Sequence, residues 1–183
     1  MPETRTLAGR HKAEHIAPMS LSVRTVALLC TLAAALALGI ALASEAWGGL
    51  VPCALCLWER WPYRVAIALG LVALLLPPRA GRLVLTLLLL ALLAGAALAA
   101  VHVGVEQGWW PSPLPECAAP RFHGGSIAER LAHMPATPAK PCDDATYLVP
   151  GLPVSMAAMN LIYAGGFFAI LALYLARGLR RPR

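Results

Sequence analysis

The chain has 183 residues, 59% of them hydrophobic and only 13% charged, with a net charge of +6 at pH 7 and a mean hydropathy of +0.68. Soluble domains are about 45–50% apolar and about 25% charged, so a disordered chain is excluded and the basic charge does not mark a nucleic-acid binder. Five cysteines are too few for a small disulfide scaffold, and the apolar residues fall into long uncharged runs, as in an integral membrane protein.

A membrane span needs about 20 apolar residues, at about 1.5 Å each, to cross about 30 Å of hydrocarbon. Thr25 to Ser44 supplies 20 uncharged residues, Leu83 to Val105 supplies 23, and a further run extends from Val154 to Ala176. The run from Val65 to Pro78 has only 14 and must borrow length from Leu57 to Arg64. The expectation is an all-α, four-helix membrane bundle with spans near 24–44, 57–78, 83–104 and 154–176. A polar segment, 1–22, precedes it and a basic tail, 177–183, follows. Outer loops cover 45–56 and 105–153.

Orientation follows from Lys and Arg. Ten basic residues precede the first span, lie between spans two and three, or follow the last span, against Arg60, Arg64, Arg121, Arg130 and Lys140 on the other side. Both termini are therefore expected to be cytoplasmic. Trp47, Trp58, Trp61, Trp109 and Trp110 all flank the predicted outer boundary, where aromatic rings prefer to sit. A signal peptide cleaved near Ala41-Leu42-Ala43 is the competing reading, but the apolar stretch exceeds the usual ~7–15 residues.

The second outer loop holds nine of the sixteen prolines. Within it, Ser126 to Met134 reads as a short helix: Ser126 and Glu129 have capping-box spacing, and Ile127, Leu131 and Met134 share one face.

The chemistry is carried by cysteine. Cys53-Ala54-Leu55-Cys56 lies at the N-terminal edge of the second span. Unpaired backbone N–H groups at a helix N-terminus favour a thiolate, which is the attacking species in disulfide exchange. Cys117 and Cys142, 25 positions apart, occupy the other outer loop. Four cysteines on one oxidising face suggest two disulfides, either reactive or inert loop staples. A four-Cys zinc site is disfavoured because Cys117 and Cys142 lack paired spacing, so no metal is expected. Arg60 lies at i+4 from Cys56 and shares its face if the helix already runs there; it either supports a thiolate or snorkels to the boundary. Pro62 implies that the helix starts near Trp61 or kinks. Cys30 is a lone mid-span residue and reads as core.

Pro52-Cys53-Ala54-Leu55-Cys56-Leu57-Trp58-Glu59-Arg60, followed by a helix, resembles the signature of the DsbB-type disulfide bond formation proteins. The four-span plan and the second loop with Cys117 and Cys142 are similar too. So are Val101 to Glu106 leading into Trp109-Trp110-Pro111, and Pro153 to Asn160 opening the last span. The resemblance covers roughly residues 23 to 176. The N-terminal extension through Ser22 is longer than is usual in that family.

The resemblance implies a quinone-dependent protein-disulfide oxidoreductase of the bacterial inner membrane. Such a protein reoxidises a DsbA-like periplasmic thiol oxidase and passes electrons to ubiquinone or menaquinone. Cys53 and Cys56 would be the pair reoxidised by quinone, and Cys117 and Cys142 the pair that meets the carrier. Arg60 and His102 would contact the quinone. Two rivals come from other classes. One is a four-span structural or adhesion protein with inert loop disulfides. The other is a quinone-linked enzyme of the vitamin K epoxide reductase type, in which the Cys-x-x-Cys opens the last helix rather than the second.

Overall fold

The structure, a computed structural model, describes residues 21–117, 126–128, 140–149 and 151–179. The described residues contain four long helices, one 3₁₀ turn and a helical fragment at Ile127 and Ala128, and no strand. Helix α1 is Val23–Ala46, α2 Ala54–Leu75, α3 Pro78–Glu106 and α4 Met156–Leu179; the 3₁₀ turn is Pro115–Cys117. By length and composition α1, α3 and α4 can each cross a membrane. The apolar stretch of α2 is shortened by Glu59, Arg60 and Arg64 in its first three turns.

Each start has a chemical cause. Ser22 caps α1, its Oγ accepting from the N–H of Thr25 at 3.1 Å. Pro77 and Pro78 end α2 and open α3, because a proline fits the first helical turn, where its missing N–H has no partner to lose. Ser155 caps α4 by accepting from the N–H of Ala158 at 3.1 Å.

Helix ends and predicted span ends differ. Helix α2 begins at Ala54 rather than 57, and α3 at Pro78 rather than 83. A span is set by uncharged length, whereas a helix runs as far as its caps allow. Arg79 and Arg82, which the sequence puts between spans two and three, thus lie in the first turns of α3. Helix α2 does not wait for Trp61 either: it runs through Pro62. Gly95 of α3 gives that ring room, since a Cβ there would stand 3.0 Å from the Pro62 Cβ. Of the expected loop helix, Ile127 and Ala128 are helical, while Glu129 to Met134 lie outside the described residues.

Helix α2 packs between α1 and α3, and α3 packs against α4. The Tyr163 hydroxyl donates to the carbonyl of Ala33 at 2.8 Å, joining α4 to α1. Leu85, Leu88, Leu92 and Leu171 are fully buried at the centre, with Ala27, Ala34, Ala66 and Ala73 allowing close approach. Cys30 is buried in this core, as its position implied. Outward-facing Leu28, Leu32, Leu36, Leu90, Ile162 and Ile170 leave an apolar surface suited to lipid tails. All five tryptophans gather where α1 ends, α2 begins and α3 ends, each at least 44% exposed.

Candidate active site

Cys53 has extended backbone (φ −79°, ψ 171°) and caps α2. Its sulfur stands where a serine or aspartate oxygen usually does, accepting the N–H of Cys56 at 3.2 Å, while its carbonyl accepts from Leu57 at the same distance. The sulfurs of Cys53 and Cys56 are 2.8 Å apart, and both residues are free cysteines. A hydrogen bond from the Cys56 thiol holds the Cys53 thiol below the ordinary cysteine range. Burial opposes it, the Cys56 N–H assists, Glu59 opposes, and the Leu55 N–H assists.

Behind Cys53 runs a chain of polar groups drawn from three helices. His102 Nε2 of α3 lies 3.5 Å from Cys53 Sγ. Its Nδ1 donates to Glu59 Oε1 of α2 at 2.8 Å. The other carboxyl oxygen, Oε2, accepts from Asn160 Nδ2 of α4 at 2.8 Å, and the Tyr63 hydroxyl donates to Asn160 Oδ1 at 2.5 Å. Glu59 is 7% exposed and His102 2%. Unpaired, such groups would each cost about 1–3 kcal/mol or more. Every buried side-chain nitrogen and oxygen among the described residues has a partner.

Packed in the same buried cluster as Cys53 is a disulfide between Cys117 and Cys142, with Cα atoms 5.0 Å apart. Cys53, Leu55, Val105, Cys117 and Cys142 form one buried cluster, with Cys56 packed against its edge. The loop is drawn onto the bundle by Trp110, whose ring lies on Gly104 and whose Nε1 donates to the carbonyl of Val101 at 3.1 Å. At the loop's far end the Ser155 hydroxyl donates to Glu106 Oε2, tying the start of α4 to the end of α3.

A cavity of about 240 Å³ opens between α1, α2 and α4. Ala37, Leu38 and Ala41 of α1 and Met156 and Ala157 of α4 make its walls apolar; Leu50 to Pro52, Thr146 and Leu148 form its rim. Its polar groups are Ser44, Cys56, Glu59, Arg60, Tyr63, Asn160 and Tyr163, besides Thr146 at the rim. Arg60 is buried to 8% exposure and pairs through Nη2 with Glu45 Oε2 of α1 at 2.8 Å.

Of the residues singled out in the sequence, Cys56 and Arg60, at i, i+4 on one helix, both line the cavity. Cys117 and Cys142 are bonded to each other beside Cys53. His102 is not part of the cavity lining; it lies against Cys53 and Glu59. Sequence reasoning missed the work of Glu59, Asn160, Tyr63 and Glu45. A signal was present: Asn160 interrupts an apolar run, and an intramembrane polar residue is a functional candidate by default. Glu45 gives no such signal, since it only bounds the uncharged run Thr25 to Ser44.

A dithiol at a helix cap, a disulfide packed beside it and an apolar cavity beyond define a helical membrane protein of thiol–disulfide chemistry. The family "Disulfide bond formation protein DsbB" matches residues 23–174. A relative from Azoarcus sp. (strain BH72), Disulfide bond formation protein B, is 32% identical over 165 residues, covering 85% of this chain and 92% of that protein. No solved structure matches. The chain belongs to the DsbB family of disulfide bond formation proteins, a bacterial membrane family.

Proposed function

We propose that the protein oxidises a soluble periplasmic dithiol carrier of the DsbA type and passes the electrons to quinone in the inner membrane, with α2 as a fourth span and both termini cytoplasmic. The observation that carries this reading is the placement of the Cys53–Cys56 pair: Cys53 shares a buried cluster with the Cys117–Cys142 disulfide, and Cys56, at the edge of that cluster, lines the cavity.

The exchange steps balance without outside groups. A carrier thiolate attacks Cys117 Sγ, breaking the Cys117–Cys142 bond and forming a mixed disulfide. Cys142 leaves as a thiolate and attacks Cys53 of a Cys53–Cys56 disulfide, releasing Cys56 as a thiolate. The carrier's second thiol then resolves the mixed disulfide, freeing the oxidised carrier and Cys117. Cys117 attacks Cys142, restoring the loop disulfide and leaving Cys53 and Cys56 reduced.

The cavity's chemistry fits a quinone headgroup: apolar walls for the ring, the Arg60 guanidinium and the second N–H of Asn160 for carbonyl oxygens, and Cys56 Sγ among them. When bound there, quinone supplies the two-electron acceptor that a strongly oxidising carrier requires. Arg60, held by Glu45, presents its guanidinium to the cavity one turn below Cys56. His102 and Glu59 hold a proton-carrying chain against Cys53.

Purified protein mixed with reduced carrier and quinone is the test. Quinone absorbance should fall in step with carrier oxidation. Carrier that stays reduced, or that is oxidised without loss of quinone, would overturn the proposal. A reporter fused after Arg183 should be cytoplasmic and one inserted near Gly124 periplasmic; the reverse would place the cysteines in a reducing compartment.

A further inference from the structure

Three soft or borderline donor atoms, Cys53 Sγ, Cys56 Sγ and His102 Nε2, lie within 4.8 Å of one another. We propose that in the reduced protein these three atoms bind a thiophilic divalent cation, with zinc as the type, and that the bound ion locks the pair out of disulfide exchange. The fourth coordination position would face the cavity, because Cys56 lines it and Cys53 and His102 do not.

The geometry is close to what such an ion requires. Tetrahedral zinc has Zn–S distances of about 2.3 Å and Zn–N of about 2.0–2.1 Å, which sets sulfur and nitrogen about 3.5 Å apart and two sulfurs about 3.8 Å apart. Cys53 Sγ and His102 Nε2 are already 3.5 Å apart. The sulfurs, at 2.8 Å, must separate by about 1 Å, which a modest side-chain rotation supplies.

The surroundings are also those of a metal ligand set. His102 Nδ1 donates to Glu59, which fixes the tautomer and leaves the Nε2 lone pair directed at Cys53. Asn160 and Tyr63 hold Glu59 in turn. The Cys56 N–H donates to Cys53 Sγ, a bond that stabilises a coordinated thiolate as well as a free one. This set differs from the four-Cys site disfavoured from the sequence, because Cys117 and Cys142 are bonded to each other and His102 takes part. Binding releases the thiol protons and involves no electron transfer; the Cys53–Cys56 disulfide has no thiolate to offer and cannot bind this way. The ion would therefore inhibit the reduced state alone.

The proposal rests on the reading above only in needing the pair to be reduced, and its test omits both carrier and quinone. Full-length protein in detergent is reduced, freed of reductant and titrated with Co²⁺, then with Zn²⁺ against a chelator. One equivalent of Co²⁺ should give a thiolate-to-metal charge-transfer band that Zn²⁺ abolishes. The band should survive Cys117→Ser with Cys142→Ser, disappear in Cys53→Ser, and be missing from wild-type protein oxidised at Cys53–Cys56. Glu59→Gln should weaken zinc by about 10- to 100-fold while leaving the band. The oxidised wild-type comparison needs no substitution, so misfolding of a variant does not rescue the idea. No band in the reduced protein, a band that persists after Cys53 is oxidised or replaced, or a zinc affinity unchanged in Glu59→Gln would each overturn it. Quinone reduction that proceeds normally while these metal tests fail would sink this proposal and spare the previous one.

Discussion

Cys53 and Cys56 stand three residues apart at the start of α2, with backbone N–H groups, His102, Glu59 and a cavity around them. Cys117 and Cys142 stand 25 positions apart in a loop, bonded to each other, with mainly apolar neighbours. Closing the longer ring removes about 3–4 kcal/mol of chain entropy from the unfolded state, against about 2 kcal/mol for a four-residue ring. The loop pair can therefore hold structure as well as exchange, whereas the helical pair is a poor staple. What the helical pair has instead is an environment that favours the thiolate at Cys53. Reach belongs to one pair and electronic control to the other.

Removing a sulfur from either pair breaks this division, with the largest expected effects. Cys53→Ser should reduce carrier-driven quinone reduction to background, because no sulfur then links the loop disulfide to the cavity. Cys142→Ser should accumulate a mixed disulfide between Cys117 and the carrier, since the departing thiolate that would attack Cys53 is gone. Non-reducing electrophoresis and peptide mapping read both. A trapped species joined through Cys53 instead would reverse the order of the two pairs.

Much of this contrast was legible in the sequence, for reasons specific to each residue. Uncharged runs locate helices in lipid, so α1, α3 and α4 could be read from length alone. The reading of α2 was harder, because charges shorten its apolar run and Pro62 suggested a later start; the Cys53 cap and the space at Gly95 decide otherwise. The Cys56–Arg60 face followed from spacing on one helix. The Glu59–His102–Asn160 chain did not, because it joins residues 43 and 101 positions apart through packing of α2 against α3 and α4. Local pattern cannot specify which polar groups meet across helices.

Arg60 sharpens the electronic half of the comparison, with an intermediate effect. Arg60→Met keeps much of the apolar stem and removes the charge. A charge-assisted hydrogen bond is worth about 1.5–3 kcal/mol, or roughly 10- to 150-fold in quinone affinity if all of it is lost. The variant should insert normally, keep both disulfides and show an unchanged dependence on carrier, but need more quinone. Steady-state kinetics varying the two independently would check it. Normal insertion with an unchanged quinone dependence would leave Arg60 as the partner of Glu45 and a membrane-boundary anchor.

The smallest effect concerns which sulfur of the helical pair holds the charge. In the reduced pair the Cys56 thiol donates to Cys53, and this is the largest influence lowering the Cys53 pKa. An ordinary cysteine titrates near about 8.5, so the Cys53 thiolate should persist to lower pH than that. The ultraviolet absorbance of thiolate, read against Cys53→Ser in a Cys30→Ser background with the loop disulfide intact, should show that midpoint below the ordinary one. Cys56→Ala removes the donor while burial and Glu59 remain, and both of these disfavour the anion. The midpoint should therefore move up. Cys56→Ser restores an O–H donor and should bring it part of the way back. If Cys56→Ala and Cys56→Ser titrate alike, the helix N-terminus rather than the neighbouring thiol would be what sets Cys53 apart from the cysteines of the loop.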